Sequence, residues 1–465
     1  MLDTEFAQLI TDNLPYTPNG QQQQVIGVLS RFCSPSAPEE SVFLLAGYAG
    51  TGKTSLCGAL VKSLKQVGIN SMLLAPTGRA AKVFGTYAQH PAYTIHRVIY
   101  KHPGLGSDMQ GARMPAENRF KNVIFIVDEA SMITGDDPNG QNLLEDLIQY
   151  VYTGEGCRLI LMGDTAQLPP VGSTFSPAMQ PDVLKGFGLR VTRVTLTEIA
   201  RQGAKSGILY NATWLRKAMR ANPLPTPKFF TDFDDVREIT PEEMAEELYT
   251  AYNRDGIQDT IVVTRSNQRA VGFNREIRSS VLYIEEQLAK GEMLIVTKNN
   301  YFWSEKVREI NFIANGDILE VQEVTGIEDK YGFRFADVRL GIPETNITFD
   351  AKVMLDTLNE ETANLSPERF NQLYYAIMED PALFSPYTPA DARLKALKHN
   401  PYWNALQVKY AYAVTCHKAQ GGQWKNVFVD ASYIPPDAMG LDFYRWLYTA
   451  ETRATSRLFL IRNEE

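Results

Sequence analysis

The sequence predicts an α/β fold in which a parallel β-sheet is flanked by helices. Short apolar runs recur along the first part of the chain, and each ends in a polar loop, as expected for strands buried on both faces. The loop after the first run, residues 47–54 (GYAGTGKT), fits the phosphate-binding pattern G-x-x-x-x-G-K-S/T in full. Leucines at four-residue spacing follow this loop and indicate a helix. This order of strand, loop and helix is typical of nucleotide-binding α/β domains.

The phosphate loop lies between a predicted strand at residues 41–46 (SVFLLA) and a predicted helix that ends before Gly68. Its glycines let the backbone curl so that N–H groups point at phosphate oxygens, and the helix N-terminus favours the same anion. Lys53 is predicted to reach the β- and γ-phosphates of ATP, and the Thr54 hydroxyl is predicted to ligate Mg²⁺. The residues predicted to bind nucleotide in this loop are Gly47, Gly50, Thr51, Gly52, Lys53, Thr54 and Ser55.

The composition is that of an ordinary globular protein, with 465 residues, 44% hydrophobic residues and a net charge of −8. No apolar run approaches the length of a membrane span and no signal peptide is recognised, so a cytoplasmic location is expected. The four cysteines form no C-x-x-C pair, which argues against a zinc site and a disulfide framework. The negative charge argues mildly against nucleic acid as a partner unless one cleft is locally basic.

Four consecutive glutamines at residues 21–24 precede an apolar stretch and indicate the first turn of a helix. A glutamine at this distance before a phosphate loop can hydrogen-bond the edge of adenine, and Gln22 is the predicted reader. A solvated polar cap is the alternative for each of the four.

The loop after a second predicted strand, residues 71–75 (SMLLA), carries Thr77 and Arg79. Ligands bind where parallel strands end in such folds, so these two residues are suited to contact a phosphodiester backbone. A simple helix start is the alternative for both. A second polar cluster contains Thr94 and His96, and a structural role is the alternative for the histidine.

Two adjacent carboxylates, Asp128 and Glu129, directly follow a predicted core strand at residues 123–127 (VIFIV). Burying both without a cation would be costly, so the pair indicates function. Asp128 is predicted to hold Mg²⁺ through its water shell, and Glu129 to orient or deprotonate the attacking water. The next strand, residues 158–162, leads to Gln167, which is placed as a γ-phosphate sensor.

These motifs occur in an order that resembles the first motor domain of superfamily one helicases, in the branch of RecD-like and Dda-like 5′→3′ DNA helicases. The second half of the chain is similar to the remaining motifs of that family, at residues 196–202 (LTEIARQ), 315–317 (NGD), 413–421 (AVTCHKAQG) and 447–454 (LYTAETRA). The resemblance covers nearly the whole chain. It departs from the family in the last motif, where Thr449 and Glu451 stand at usually more apolar positions.

The resemblance implies two RecA-like P-loop NTPase domains with two insertions. The first motor domain is expected at residues 1–190, with a small hairpin insertion at 98–121. The second is expected at residues 191–280 joined with 405–465, with an SH3-like β-barrel inserted at 281–404. Within the inserted segment, a helical stretch from residue 360 and a proline-rich stretch after it have no counterpart in the expected barrel.

The same resemblance implies an ATP-dependent DNA helicase that uses Mg²⁺ and moves 5′→3′ on single-stranded DNA and at duplex junctions, as a monomer. Arg201 and Arg453 are expected to reach the γ-phosphate from the second domain, and Gly421 is assigned to the nucleotide site. The implied strand contacts are Thr77, Arg79, Thr94, His96, Thr415, His417 and Lys418. Action on RNA, or remodelling of protein–DNA complexes without strand separation, is the alternative.

Five aromatic side chains have two readings, because they can stack on bases or pack within the fold. Packing is favoured, since 11% of the chain is aromatic and most of these residues must be buried. The five are Tyr301, Phe302, Trp303, Tyr402 and Trp403.

Overall fold

A computed structural model of the chain describes residues 3–100, 115–135, 142–198, 206–305, 307, 310, 313–343, 346–362, 364–432 and 439–463. The chain divides into two compact units. The first unit comprises Met1–Val236, Gln420–Gly422 and Pro435–Thr452, and the second comprises Arg237–Ala419, Gln423–Ile434 and Arg453–Glu465.

The first unit is built on a six-stranded sheet in the order β3-β2-β4-β5-β1-β6, with parallel pairing throughout. Its strands are β1 (Ser41–Gly47), β2 (Asn70–Ala75), β3 (Ala92–Thr94), β4 (Val123–Val127), β5 (Arg158–Gly163) and β6 (Arg190–Leu196). Every residue of β1 and β4 is buried, which explains why these strands have continuous apolar sequences. The predicted parallel sheet is confirmed.

Helices cover both faces of this sheet and form two apolar clusters, one around Leu147 and the other around Leu60. They are α1 (Asp3–Asp12), α2 (Gly20–Cys33), α3 (Lys53–Gln66), α4 (Gly78–Ala88), α5 (Ile95–Ile99), α6 (Leu143–Thr153) and α7 (Pro181–Gly186). The same unit also contains α8 (Gly207–Ala218) and, from the end of the chain, α14 (Leu441–Glu451). Helix α3 starts directly after the phosphate loop, as the leucine spacing predicts.

The second unit contains a five-stranded sheet in the order β14-β8-β15-β16-β7. Its strands are β7 (Val236–Ile239), β8 (Thr260–Thr264), β14 (Ala413–Thr415), β15 (Trp424–Asp430) and β16 (Ala454–Ile461). The pairs β14 with β8, β8 with β15 and β15 with β16 are parallel. The helices beside it are α9 (Met244–Asp255), α10 (Asn267–Glu276) and α13 (Cys416–Ala419).

A closed five-stranded barrel with the order β10-β11-β12-β13-β9 completes the second unit and confirms the predicted barrel insertion. Its strands are β9 (Met293–Val296), β10 (Ile318–Lys330), β11 (Phe333–Gly341), β12 (Thr348–Met354) and β13 (Leu406–Tyr410). The stretch with no predicted counterpart forms α11 (Pro367–Met378) and α12 (Ala390–Lys398). Leu373 and Leu397 from these helices pack with Phe335 of the barrel, so the helices are an addition to the barrel core.

The two compact units have other bounds than the expected domains, whose boundaries stay a prediction. The expected boundary at residue 190 falls at the start of β6, which pairs with β1 along its whole length, and the first unit continues to Val236. The barrel strand β13 (Leu406–Tyr410) lies wholly after residue 404, where the expected insertion ends. Most of the expected hairpin insertion, residues 101–114, lies outside the described residues. No helix in the described part of the chain is long and apolar enough to cross a membrane.

Candidate nucleotide site and strand-contact residues

The phosphate loop joins buried strand β1 to helix α3 through two residues in left-handed conformation, Gly50 (φ 74°) and Gly52 (φ 84°). A Cβ atom on Gly52 would lie 2.5 Å from the Tyr16 hydroxyl oxygen, so both conformation and space require glycine. No side chain caps the start of α3. The N–H groups of its first turn therefore remain directed at the loop, as an anion site needs.

Lys53 is the first residue of α3, and its side chain folds back over the loop. Its ammonium group donates hydrogen bonds to the carbonyl oxygens of Gly47, at 2.6 Å, and Tyr48, at 3.0 Å. The lysine methylenes lie where a side chain on Gly47 would be, 2.9 Å from a built Cβ. The charge of Lys53 is thus held within the loop that the sequence predicts to bind phosphates.

Gln22 is buried, and its side chain contacts the backbone of the phosphate loop instead of facing solvent. Its amide oxygen accepts from the backbone N–H of Asn19, and the Asn19 side chain accepts from the Gln22 N–H, which forms a capping box at the start of α2. The amide nitrogen donates to the carbonyl of Thr51 at 3.1 Å and approaches the Tyr16 hydroxyl at 3.3 Å. Reading of adenine by Gln22 would require it to exchange these partners. The spacing Asn-x-x-Gln was the sequence signal for this capping role.

The two predicted catalytic carboxylates follow β4, where Glu129 takes a left-handed conformation (φ 52°). Its N–H donates to the Asp128 carboxylate at 2.8 Å. The pKa of Asp128 is raised to about 7, because burial and the charge of Glu129 together outweigh the Glu129 N–H hydrogen bond and the Lys53 ammonium, which lower it. The charge of Asp128 in turn adds to the burial that raises the pKa of Cys57 on α3. Asp128 therefore lies near Lys53 and Cys57 in the first two turns of α3.

The segment after β5 carries Gln167, which is buried, and its amide oxygen has no hydrogen-bond partner within the described residues. Asp164 at the start of this segment is also buried and accepts from the Ala166 N–H at 2.9 Å and from the Tyr448 hydroxyl at 2.6 Å. The same Tyr448 hydroxyl accepts from the N–H of Ala49 in the phosphate loop at 3.0 Å. One tyrosine therefore connects the phosphate loop to the segment of the predicted γ-phosphate sensor.

Further residues near the end of the chain hold this segment. The Thr449 hydroxyl accepts from the Leu168 N–H at 2.8 Å, and the Gln420 amide donates to the Leu168 carbonyl at 3.0 Å. Sequence reasoning placed residues 420 and 447–454 in family motifs but assigned no role to Tyr448, Thr449 or Gln420. No local pattern in the sequence connects Tyr448 to Ala49, which lies 399 residues earlier.

Of the two arginines predicted to reach the γ-phosphate, the structure describes only Arg453. Arg201 lies outside the described residues. Arg453 belongs to the second unit and is buried there. Its positive charge acts against the burial that raises the pKa of Cys416 to about 12, which places it near α13.

The predicted strand contacts of the first unit lie at the ends of adjacent strands. Thr77 caps α4, and its hydroxyl accepts from Ala80 N–H at 3.2 Å, while Thr94 caps α5 in the same way. The two caps follow β2 and β3, whose residues Ala75 and Thr94 are paired. Arg79 and His96 occupy the first turns of these two helices. The fold thus brings the four residues to one edge of the sheet.

Gly421, assigned to the nucleotide site by resemblance, lies against the start of α4 instead of the phosphate loop. A Cβ atom there would lie 2.8 Å from Ala80 Cβ and 3.4 Å from the Thr77 hydroxyl, and its φ of 73° also requires glycine. Its surroundings are those of the predicted strand contacts.

In the second unit, Thr415 and Lys418 line a small pocket with Lys409 and Asn267, while His417 is exposed. The Lys418 ammonium has no hydrogen-bond partner within the described residues. Burial and the charge of Lys409 lower the pKa of Lys418 to about 8. Two ammonium groups in one pocket favour an anionic ligand.

The five aromatic residues considered for base stacking have packing partners. The Trp303 indole N–H donates to the Asn404 carbonyl at 2.8 Å, the Tyr402 ring lies 5.1 Å from that of Phe335, and the Trp403 ring lies 4.5 Å from that of Phe370. The rings of Phe302 and Trp303 contact each other edge to face, and Tyr301 is half-buried beside them. These contacts support the packing reading.

Comparison with known proteins finds two families along the chain. Residues 29–227 match the AAA domain and residues 410–461 match the UvrD-like helicase C-terminal domain. The chain is 25% identical over 429 residues to the ATP-dependent RecD2 DNA helicase of Deinococcus radiodurans. The alignment covers 90% of this chain and 46% of that protein. It is 23% identical over 409 residues to the ATP-dependent DNA helicase dda of Enterobacteria phage T4, covering 82% and 86%.

Among solved structures, the Pif1 helicase from Candida albicans aligns with a TM-score of 0.48 and 18% identity, covering 97% of this chain and 95% of that one. The chain spans about half the length of the RecD2 relative and most of the dda relative. The sequence matches agree with the predicted resemblance: residues 29–227 match the AAA domain, residues 410–461 match the UvrD-like helicase C-terminal domain, and the chain is similar to the RecD2 and dda helicases.

Proposed function

We propose that this chain is an ATP-driven DNA helicase that moves 5′→3′ on single-stranded DNA. The observation that carries the proposal is the phosphate loop around Lys53 with the Asp128 carboxylate beside it in the same sheet. The RecD2 and dda relatives are both named ATP-dependent DNA helicases, which supports DNA as the substrate. The direction of movement rests on the resemblance of the motifs.

ATP would bind in the phosphate loop, where Lys53 would exchange its two carbonyl partners for phosphate oxygens. Charged acceptors make stronger hydrogen bonds than carbonyls, so the exchange is favourable. Thr54 and Asp128 would hold Mg²⁺, which suits oxygen ligands and would add to the Lys53 ammonium in offsetting the burial of the carboxylate. Bound Mg²⁺ would neutralise charge on the β- and γ-phosphates.

Glu129 would orient or deprotonate the attacking water, and Gln167 would contact the γ-phosphate or that water through its amide. The amide oxygen of Gln167 is suited to accept a hydrogen bond, because it has no partner in the described part of the chain. Arg201 and Arg453 would stabilise the charge of the transition state. Arginines in this role are worth roughly 10³ to 10⁵ in rate.

Single-stranded DNA would be bound through its backbone by the residues at the end of β2 and β3 in the first unit and by Thr415, His417 and Lys418 in the second. The Lys418 ammonium, which has no hydrogen-bond partner among the residues that the structure describes, is suited to bind a phosphate, because a bound anion favours its charged form. Contacts of this kind hold a strand without reading its sequence. Binding is therefore expected to depend on salt and to tolerate different sequences.

The proposal is tested by measuring ATP turnover by the whole chain alone, with single-stranded DNA and with single-stranded RNA. We expect strong stimulation by DNA and little by RNA. Stimulation by RNA above that by DNA would assign RNA as the substrate, and turnover indifferent to both would contradict the strand-binding half of the proposal. The Lys53→Ala variant is the control, because it removes the phosphate-binding ammonium and should leave no turnover.

A further inference from the structure

Helices α8 and α14 belong to the first unit, pack on each other, and both contact the phosphate loop. The rings of Trp214 on α8 and Tyr444 on α14 lie 6.5 Å apart, and the Tyr444 hydroxyl donates to the Pro225 carbonyl shortly after α8. The helices are far apart in the sequence, at Gly207–Ala218 and Leu441–Glu451. We call this pair of helices the loop brace.

Helix α14 contacts the loop through Tyr448, a fully buried side chain whose hydroxyl has one partner on each side. It accepts from the Ala49 N–H of the phosphate loop at 3.0 Å and donates to the Asp164 carboxylate at 2.6 Å. A hydroxyl that accepts and donates at once fixes the separation of its two partners. The adjacent Thr449 holds the Leu168 N–H at 2.8 Å. Two consecutive residues of α14 thus hold both ends of segment 164–168, which carries Gln167.

Helix α8 contacts Tyr48 of the loop through Arg216, and Arg220, which follows the helix, contacts the same tyrosine. The Arg216 guanidinium lies 4.2 Å from the centre of the Tyr48 ring, and Arg220 donates to the Tyr48 hydroxyl. Arg216 is almost fully buried, so this cation–π contact is shielded from water and correspondingly strong. The backbone carbonyl of the same Tyr48 accepts from Lys53 and from the Thr51 hydroxyl. The side chain of one loop residue is therefore fixed by α8, while its carbonyl is a partner of the catalytic lysine.

We propose that the loop brace sets the distance between the phosphate loop and the Gln167 segment, with Tyr448 and Arg216 as positioning residues for ATP hydrolysis. This inference rests on the proposed ATPase function. The loop N–H group that the Tyr448 hydroxyl holds is that of Ala49, which is not among the residues predicted to bind nucleotide, so loss of this hydroxyl leaves nucleotide binding largely in place. It does release Gln167 from its position relative to the bound phosphates. The brace therefore acts on turnover more than on nucleotide affinity.

The test compares Tyr448→Phe with Tyr152→Phe. Tyr152 lies on α6 of the same unit, and its hydroxyl donates to the Ser41 carbonyl at 2.7 Å, at the end of β1 opposite the phosphate loop. We measure DNA-stimulated turnover, the dissociation constant of a fluorescent ATP analogue, and the midpoint of thermal unfolding. For Tyr448→Phe we expect kcat to fall about tenfold, the loss typical of one orienting hydrogen bond, with the dissociation constant within about twofold. Tyr152→Phe should leave both quantities near the wild-type values.

Equal turnover in the two variants, or equal losses of kcat and nucleotide affinity in Tyr448→Phe, would overturn the proposal that the loop brace positions the Gln167 segment. If Tyr448→Phe does not fold, Arg216→Met tests the other helix, because it keeps side-chain length and removes the cation over Tyr48. The same split between kcat and affinity is expected for it, and unchanged kcat would overturn the inference. A wild-type chain that hydrolyses no ATP would overturn the proposed function as well, so the two failures are distinguishable.

Discussion

Glu451, at the end of α14, should make the stability of this protein fall as the pH rises. The side chain is 1% exposed, and neither of its carboxylate oxygens has a hydrogen-bond partner within the described residues. Burial raises its pKa from 4.5 to about 8, and no neighbouring charge contributes to that change. The folded protein therefore holds a proton on Glu451 at neutral pH, whereas the unfolded chain releases it.

The sign and size of the effect follow from this difference in proton binding. The stabilisation is complete below about pH 4.5, is lost progressively as the pH rises, and levels off above about pH 8. Each tenfold change in an acid constant is worth about 1.4 kcal/mol, so the two pKa values correspond to a loss of about 3 kcal/mol between pH 5 and pH 8. That is a large part of the net stability of a typical domain.

The perturbation is Glu451→Gln, which keeps the shape of the protonated acid and cannot ionise. Denaturant unfolding at a series of pH values, followed by tryptophan fluorescence, gives the free energy of unfolding of both proteins. We expect similar values at pH 5 and a variant more stable by about 3 kcal/mol at pH 8. The raised pKa of Asp128 contributes equally to both proteins and cancels in the comparison.

Glu145→Gln is the control, because this side chain is exposed on α6 of the same unit. Its pH dependence should match that of the wild type. If wild type and Glu451→Gln lost stability in parallel between pH 5 and pH 8, the reasoning about an unpaired buried carboxylate would be refuted.

Three further predictions concern the nucleotide and strand sites. Lys53→Ala should abolish ATP hydrolysis and leave DNA binding within about twofold of wild type, as measured by turnover and by fluorescence anisotropy of a labelled strand; surviving turnover would contradict the site. Arg453→Ala should lower kcat by about 10³ with a much smaller change in ATP-analogue affinity, and equal losses would contradict its role at the γ-phosphate. Lys418→Ala should reduce by about 1 the slope of log affinity for single-stranded DNA against log salt concentration, whereas an unchanged slope would exclude a phosphate contact by this lysine.

The first sheet was predictable because parallel strands buried on both faces have continuous apolar sequences. The runs SVFLLA and VIFIV became β1 (Ser41–Gly47) and β4 (Val123–Val127), and the polar residues after them lie where the sheet ends. Strand β6 was harder to place, because only its last residue, Leu196, is buried. Its alternating sequence fits an edge strand of either domain, and only its pairing with β1 assigns it to the first sheet.

Contacts between distant parts of the sequence were not predictable from local patterns. Periodicity and motifs report on conformation and residue type, whereas the partner of Tyr448 depends on how α14 returns to the first sheet. Glu451 and Thr449 both departed from the apolar pattern of the last motif. The structure distinguishes the two side chains: the Thr449 hydroxyl accepts a hydrogen bond from the Leu168 N–H, whereas the Glu451 carboxylate has no hydrogen-bond partner within the described residues.

The most direct test of the account is strand separation by the whole chain with ATP and Mg²⁺, using DNA duplexes that carry either a 5′ or a 3′ single-stranded overhang. The account predicts opening of the duplex with the 5′ overhang only, and no opening of either duplex by Lys53→Ala. Opening from the 3′ overhang would contradict the direction, and ATP turnover stimulated by DNA without opening of either duplex would contradict the helicase itself.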